Sequence, residues 1–162
     1  MSILILGIGN VLMGDEGVGV HAVRWLESLP LPEGVETLDG GTGGFHLLGH
    51  LMDHPCVIMI DATMDGHAPG TVRLIKPKFA SDFPKSLSAH DIGLKDLVES
   101  AAVLDGLPDI YLITVSIAEI QPGMNMDLSP EVRDALPHIR AIISHILKTA
   151  EFSNPSIEAM MN

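Results

Sequence analysis

The sequence predicts an α/β fold of three layers. A mostly parallel, twisted sheet of about five strands, one of them an antiparallel edge, lies between helices on both faces. Three observations lead there. Short runs rich in Ile, Val and Leu recur along the chain, stretches with a single apolar helical stripe separate most of them, and Gly- or Asp-containing loops follow them. The length of 162 residues suits one such domain and is short for two. Residues 1–150 are expected to form it, while 151–162 lose periodicity and should fray.

The elements follow in order. Ile3-Leu4-Ile5-Leu6-Gly7 is apolar enough for a strand buried on both faces. A Gly-rich loop comes next, and Val18, Ala22, Trp25, Leu26 and Leu29 form a helical stripe that Pro30 and Pro32 end. Residues 35–38 read as the second strand, stopped by Asp39-Gly40-Gly41, and residues 45–52 as a helix. Cys56-Val57-Ile58-Met59-Ile60 is the third strand, with Asp61 at its end. Residues 71–75 alternate as a half-exposed strand does, and the link before them is too short for a crossover helix. This strand should therefore be the antiparallel edge. Ser88-Ala89-His90-Asp91 fits a capping box ahead of a stripe at Leu94, Leu97, Val98 and Ala101. Residues 110–115 form the last strand. A long amphipathic helix starts at Ser129-Pro130, with Pro at its first position.

Composition narrows the function. No run reaches the roughly 18 apolar residues a membrane helix needs. The first residues lack the basic flank and cleavage site of a signal peptide, so a cytoplasmic protein is expected. One cysteine, Cys56, excludes an internal disulfide and a multi-cysteine metal site. It begins an apolar strand and reads as a small buried hydrophobe. A formal net charge of −12 disfavours nucleic acid as a partner. Most of the eight histidines are scattered and expected to face solvent. His46 and His50 are four apart, but no third metal ligand accompanies them. With no long apolar seam, a monomer is expected.

In a doubly wound sheet, ligands bind beyond the carboxyl ends of the strands, where strand order switches. The loop after strand one, Gly7-Ile8-Gly9-Asn10-Val11-Leu12-Met13-Gly14-Asp15-Glu16-Gly17, invites a dinucleotide fingerprint. Leu12 replaces the third glycine, however, and Asp15 and Glu16 would repel a pyrophosphate at the helix start. Asp39 could serve as a ribose-binding acid, so the dinucleotide reading stays as an alternative. Asp15 fits an N-cap. Glu16 and Asp61 should face each other across the crevice between strands one and three. His90, in the first turn of its helix, is held toward the neutral form by the dipole. Two carboxylates and a neutral imidazole suit a divalent transition metal such as nickel or zinc.

The glycine loop from Gly7 to Gly17, then Leu38-Asp39-Gly40-Gly41-Thr42, Ile60-Asp61-Ala62, Ser88-Ala89-His90-Asp91-Ile92-Gly93-Leu94 and Leu128-Ser129-Pro130 together resemble the hydrogenase maturation endopeptidases. The motifs span most of the chain, and the set is highly specific. Residues 117–122 are only similar to the family's stretch there, and no site is drawn from them. The resemblance implies an α/β fold and Glu16, Asp61 and His90 as metal ligands. It implies cleavage of one peptide bond near the C-terminus of a nickel hydrogenase large-subunit precursor, after nickel insertion. Nickel would then arrive with the precursor. No Ser or Cys sits in a nucleophile setting, which leaves water as the attacking group. Asp39, and beside it Asp15, are the candidates for the catalytic carboxylate. A non-catalytic nickel-binding or chaperone-like module would share the ligands without the hydrolysis.

Overall fold

The computed structural model describes residues 2–41, 47–78, 82, 99, 108–118 and 125–149. Five strands form one sheet: β1 (Ile3–Gly7), β2 (Val35–Asp39), β3 (Cys56–Thr63), β4 (Val72–Ile75) and β5 (Asp109–Ser116). Their order is β2-β1-β3-β5-β4. Every pairing is parallel except β4 with β5, so the antiparallel edge predicted from the short connection is present. The helices are α1 (Val18–Glu27), α2 (Leu47–Met52), α3 (Pro130–Arg133) and α4 (Leu136–Thr149), with a 3₁₀ turn at Gly14–Gly17. No helix among the described residues is long and apolar enough to cross a membrane.

Strand alternation sorts the core into two layers. Ile3 and Ile5 of β1, with Ile58 and Ile60 of β3, pack with Val23 and Leu26 of α1 and Ile139 and Ile143 of α4. Leu4, Leu6, Val57, Met59 and Leu112 point to the other face, against Leu47 and Leu51 of α2. Burying each such side chain contributes roughly 1.5–3 kcal/mol, which is why β1 and β3 read as unbroken apolar runs.

Three sequence expectations are corrected. β3 continues past Ile60 to Thr63, because β5 is equally long and pairs with it as far as Ser116. Asp61 therefore lies inside a strand. The long C-terminal helix is broken after Arg133. Pro137 has no N–H to give the Arg133 carbonyl and its ring would collide with that carbonyl, so the chain restarts as α4. His54 departs from the solvent placement expected of most histidines, its side chain being buried: Nε2 pairs with Glu36 and Nδ1 lies 2.7 Å from the His50 carbonyl. The stripe at 94–101, the Ser88 capping box, His90, His46 and the tail at 151–162 lie outside the described residues.

Candidate active site at the carboxyl edge of the sheet

The site is built around β1, whose neighbours on either side are β2 and β3. The chain passes from β1 to one side of the sheet and then to the other, so the point where strand order switches lies beyond Gly7. Gly7 pairs with Ile60 in β3 and with Asp39 in β2. Asp61 is thus the first residue of β3 to pass the end of β1, and it registers with Thr114 on its other side. Asp39 and Asp61 flank the same glycine loop from opposite sides, roughly 10 Å apart at two strand spacings.

Asp61 is fully buried, and its Oδ1 accepts the Ala62 N–H at 2.8 Å. Placing a carboxylate at 0% exposure in an apolar strand is costly, and such placements concentrate at functional sites. Glu16 is half-buried on the 3₁₀ turn, which packs against β3. Glu16 and Asp61 therefore lie on neighbouring elements, a 3₁₀ turn and the strand it packs against. Among the described residues no group of three His, Cys, Asp or Glu side chains could hold a metal; the third predicted ligand, His90, lies outside them.

Close packing fixes the loop that carries Glu16. The Ile8 N–H donates to the Ile60 carbonyl at 3.0 Å and the Gly9 N–H to the Gly41 carbonyl at 2.7 Å. Gly9, at φ +142°, faces the Glu16 carbonyl, where any Cβ would collide. Gly19 of α1 sits directly against the Ile8 and Ile60 carbonyls, and Gly7 lies against Gly19, so helix and sheet meet backbone to backbone.

The far side of the loop is held by residues distant in sequence. The Gly14 N–H donates to the Asn125 carbonyl at 2.6 Å, and the Asn125 N–H to Leu12 at 2.9 Å. Asp15 is nearly buried and its two oxygens accept from the backbone N–H and Oγ of Ser129, both at 2.8 Å. Asp15 is therefore not the N-cap of α1; Gly17 occupies that position. Its carboxylate clamps the start of α3 onto the site loop. Sequence reasoning placed Ser129 in a motif and missed this contact, which joins residues 114 apart.

Asp39 ends the edge strand β2 and is partly exposed. Its Oδ1 accepts the Gly41 N–H at 3.0 Å, the Asx-type turn, and its Oδ2 accepts from Arg24 at 3.2 Å. Nothing in the sequence singled out Arg24. Burial pushes the Cys56 thiol up to about 11, with Asp109 adding to the shift, so it is a protonated core group at neutral pH.

Comparison with known proteins identifies the family. A family model described as hydrogenase maturation protease matches residues 20–146. The hydrogenase expression/formation protein HupM of Azotobacter chroococcum is 40% identical over 126 residues, covering 74% of this chain and 59% of HupM. The chain thus spans less than two thirds of that relative's length. The hydrogenase 2 maturation protease of Escherichia coli is 33% identical over 149 residues, covering 88% of this chain and 91% of its own. The structure of the hydrogenase maturating endopeptidase HybD from E. coli superimposes with a TM-score of 0.81 at 30% identity, over 93% of this chain and 94% of HybD.

Proposed function

The chain belongs to the hydrogenase maturation protease family, a family of peptidases, and from that membership we propose that it removes the C-terminal extension of a nickel hydrogenase large-subunit precursor after nickel insertion. Nickel held by the precursor is the recognition signal, and Glu16, Asp61 and His90 are the residues that read it. The observation supporting this most directly is the buried carboxylate of Asp61 at the switch point, beside the turn that carries Glu16. Carboxylate oxygens and an imidazole suit a divalent transition metal with positions left open to the precursor's own ligands.

The reaction is hydrolysis. Water adds its oxygen to the scissile carbonyl carbon, the C–N bond breaks, and the proton from water goes to the leaving amine. With Cys56 buried and protonated, water is the nucleophile that fits the described residues. Asp39, whose side chain is 38% exposed beside the glycine loop, is the carboxylate proposed to position and deprotonate it, with water taking the place of the exposed Arg24 on its Oδ2. Asp15 has both oxygens on Ser129 and acts by holding the loop.

The test uses purified nickel-loaded precursor and mass spectrometry of the released peptide. One cleavage near the precursor's C-terminus is expected. His90→Ala, Glu16→Gln and Asp61→Asn should each abolish it while leaving nickel-free precursor uncut. Normal processing by His90→Ala overturns the nickel-reading role. Asp39→Asn that folds normally and cleaves at the wild-type rate removes the general-base assignment. Binding of the precursor with no cleavage would make the chain a chaperone-like module.

A further inference from the structure

Strand β2 forms one edge of the sheet, and the backbone groups of its middle residue, Thr37, face away from β1. The Ile3 N–H donates to the Gly34 carbonyl and the Gly40 N–H to the Gly7 carbonyl, so even-numbered residues turn their backbone groups toward β1. Backbone groups alternate along a strand, which turns those of Val35, Thr37 and Asp39 outward. The Val35 N–H is taken by Pro32. The Thr37 N–H and carbonyl meet no partner among the described residues.

A groove of about 770 Å³ runs along this edge, lined by Ser2, Val35, Thr37, His50, Asp53 and His54 among others. Soluble proteins usually blunt such edges with Pro, Lys or a bulge. Val-Glu-Thr-Leu-Asp has neither Pro nor Lys, its two charges are each paired within the chain (Glu36 with His54, Asp39 with Arg24), and its register with β1 is regular across all five residues. The opposite edge, β4, has only four residues and carries Arg73.

We propose that β2 takes an extended segment of the precursor as a sixth strand, which delivers the scissile bond to the crevice; this rests on the peptidase reading above. Main-chain pairing of this kind supplies affinity without demanding a particular sequence, while pockets beside alternate side chains select among segments. Charge argues for a substrate segment over a second copy of this chain. Asp53 borders the groove beside the Glu36–His54 pair, and the whole chain carries a formal net charge of −12, so a peptide with Lys or Arg is favoured. Two copies of this chain would instead bring together two surfaces of the same net charge. Position argues for delivery. The carboxyl end of β2 is bonded to the glycine loop through Gly40–Gly7 and Gly9–Gly41. From an added strand to Asp61 is about three strand spacings, ~14 Å, which some four or five extended residues cross.

The test pairs a variant with a backbone readout. Thr37→Pro removes the outward N–H, and Pro is tolerated on an edge strand in that orientation. The variant should raise KM for nickel-loaded precursor at least tenfold and change kcat less than twofold. In the wild-type protein, a synthetic peptide of the precursor's C-terminal segment should slow hydrogen exchange at the Thr37 and Asp39 amides. The same peptide, N-methylated at alternate amides, should not. A folded Thr37→Pro protein with wild-type KM, or no peptide-dependent protection at Thr37, overturns the proposal. So does sedimentation showing a dimer that Thr37→Pro dissolves, which would assign the edge to self-pairing. If Thr37→Pro does not fold, exchange in the wild-type protein decides. Absence of any cleavage by the wild-type protein would defeat the peptidase reading, and peptide protection at Thr37 would still report edge pairing.

Discussion

Gly19→Ala gives a test in which two physical effects have opposite signs. In an α-helix, replacing Gly by Ala usually stabilises by roughly 1 kcal/mol through backbone entropy. Here an added Cβ would fall 2.1 Å from the Ile60 carbonyl oxygen and 2.4 Å from that of Ile8. Both are backbone atoms in a sheet, so α1 has to retreat by about 1 Å or more to reach ordinary contact. Overpacking of this kind costs about 1–3 kcal/mol. The Ile60 carbonyl also accepts the Ile8 N–H, and disturbing that bond adds roughly 1 kcal/mol. Less the propensity gain, the net loss is about 1–3 kcal/mol, or a fall in Tm of about 3–10 °C for a domain of this size. Circular dichroism melting measures it. The 3₁₀ turn with Glu16 leads straight into α1, so processing of nickel-loaded precursor at 25 °C should fall tenfold or more. An unchanged or raised Tm would show that helix and sheet are not in the contact described.

Three further outcomes are expected. Asp15→Ala removes two hydrogen bonds from a nearly buried carboxylate to Ser129, and should cost about 2–3 kcal/mol in urea unfolding, whereas Ser129→Ala, which keeps the backbone bond, should cost about 1. Burial works against the charged form of His54, yet its bonds to Glu36 and the His50 carbonyl outweigh that and raise its pKa. A raised histidine stabilises fully below its unfolded value of about 6.5 and loses that contribution as pH climbs through the folded value; the Tm of the wild type should therefore drop more between pH 6 and 9 than that of Glu36→Gln, and equal slopes would disprove the linkage. Cys56, with its thiol held near 11 and buried, should resist iodoacetamide in the native protein at pH 7.5 and react after urea unfolding, as mass spectrometry would show; rapid native labelling would contradict its core placement.

Much of the sheet was legible because burial leaves a direct mark on sequence. β1, β3 and β5 are buried on both faces and read as apolar runs; the short link before β4 gave its antiparallel sense, but the alternation expected of it is not seen in its burial, since Arg73 and Leu74 are both exposed. The ends were less legible. Asp61 is polar and so reads as a terminus, yet its backbone pairs with β5 as well as any apolar residue would. Pro137 marks the break between α3 and α4, but continuous apolar periodicity conceals it. The switch point depends only on the order of elements, so the packing of the turn with Glu16 against β3, which carries Asp61, was legible. The pairing of Asp15 with Ser129 and of Asp39 with Arg24 depends on tertiary closeness, and residues of those types occur throughout the chain.

The clamp between Asp15 and Ser129 has a consequence in time. The ribosome makes the Glu16 loop early, but the groups that fasten its far side arrive more than a hundred residues later. During synthesis the loop must wait, unfastened, while β2, β3 and β5 assemble, because closing so distant a contact is entropically slow. A nascent or C-terminally truncated chain that stops before Asn125 can therefore hold most of the sheet and still lack a finished crevice. Competence is acquired last.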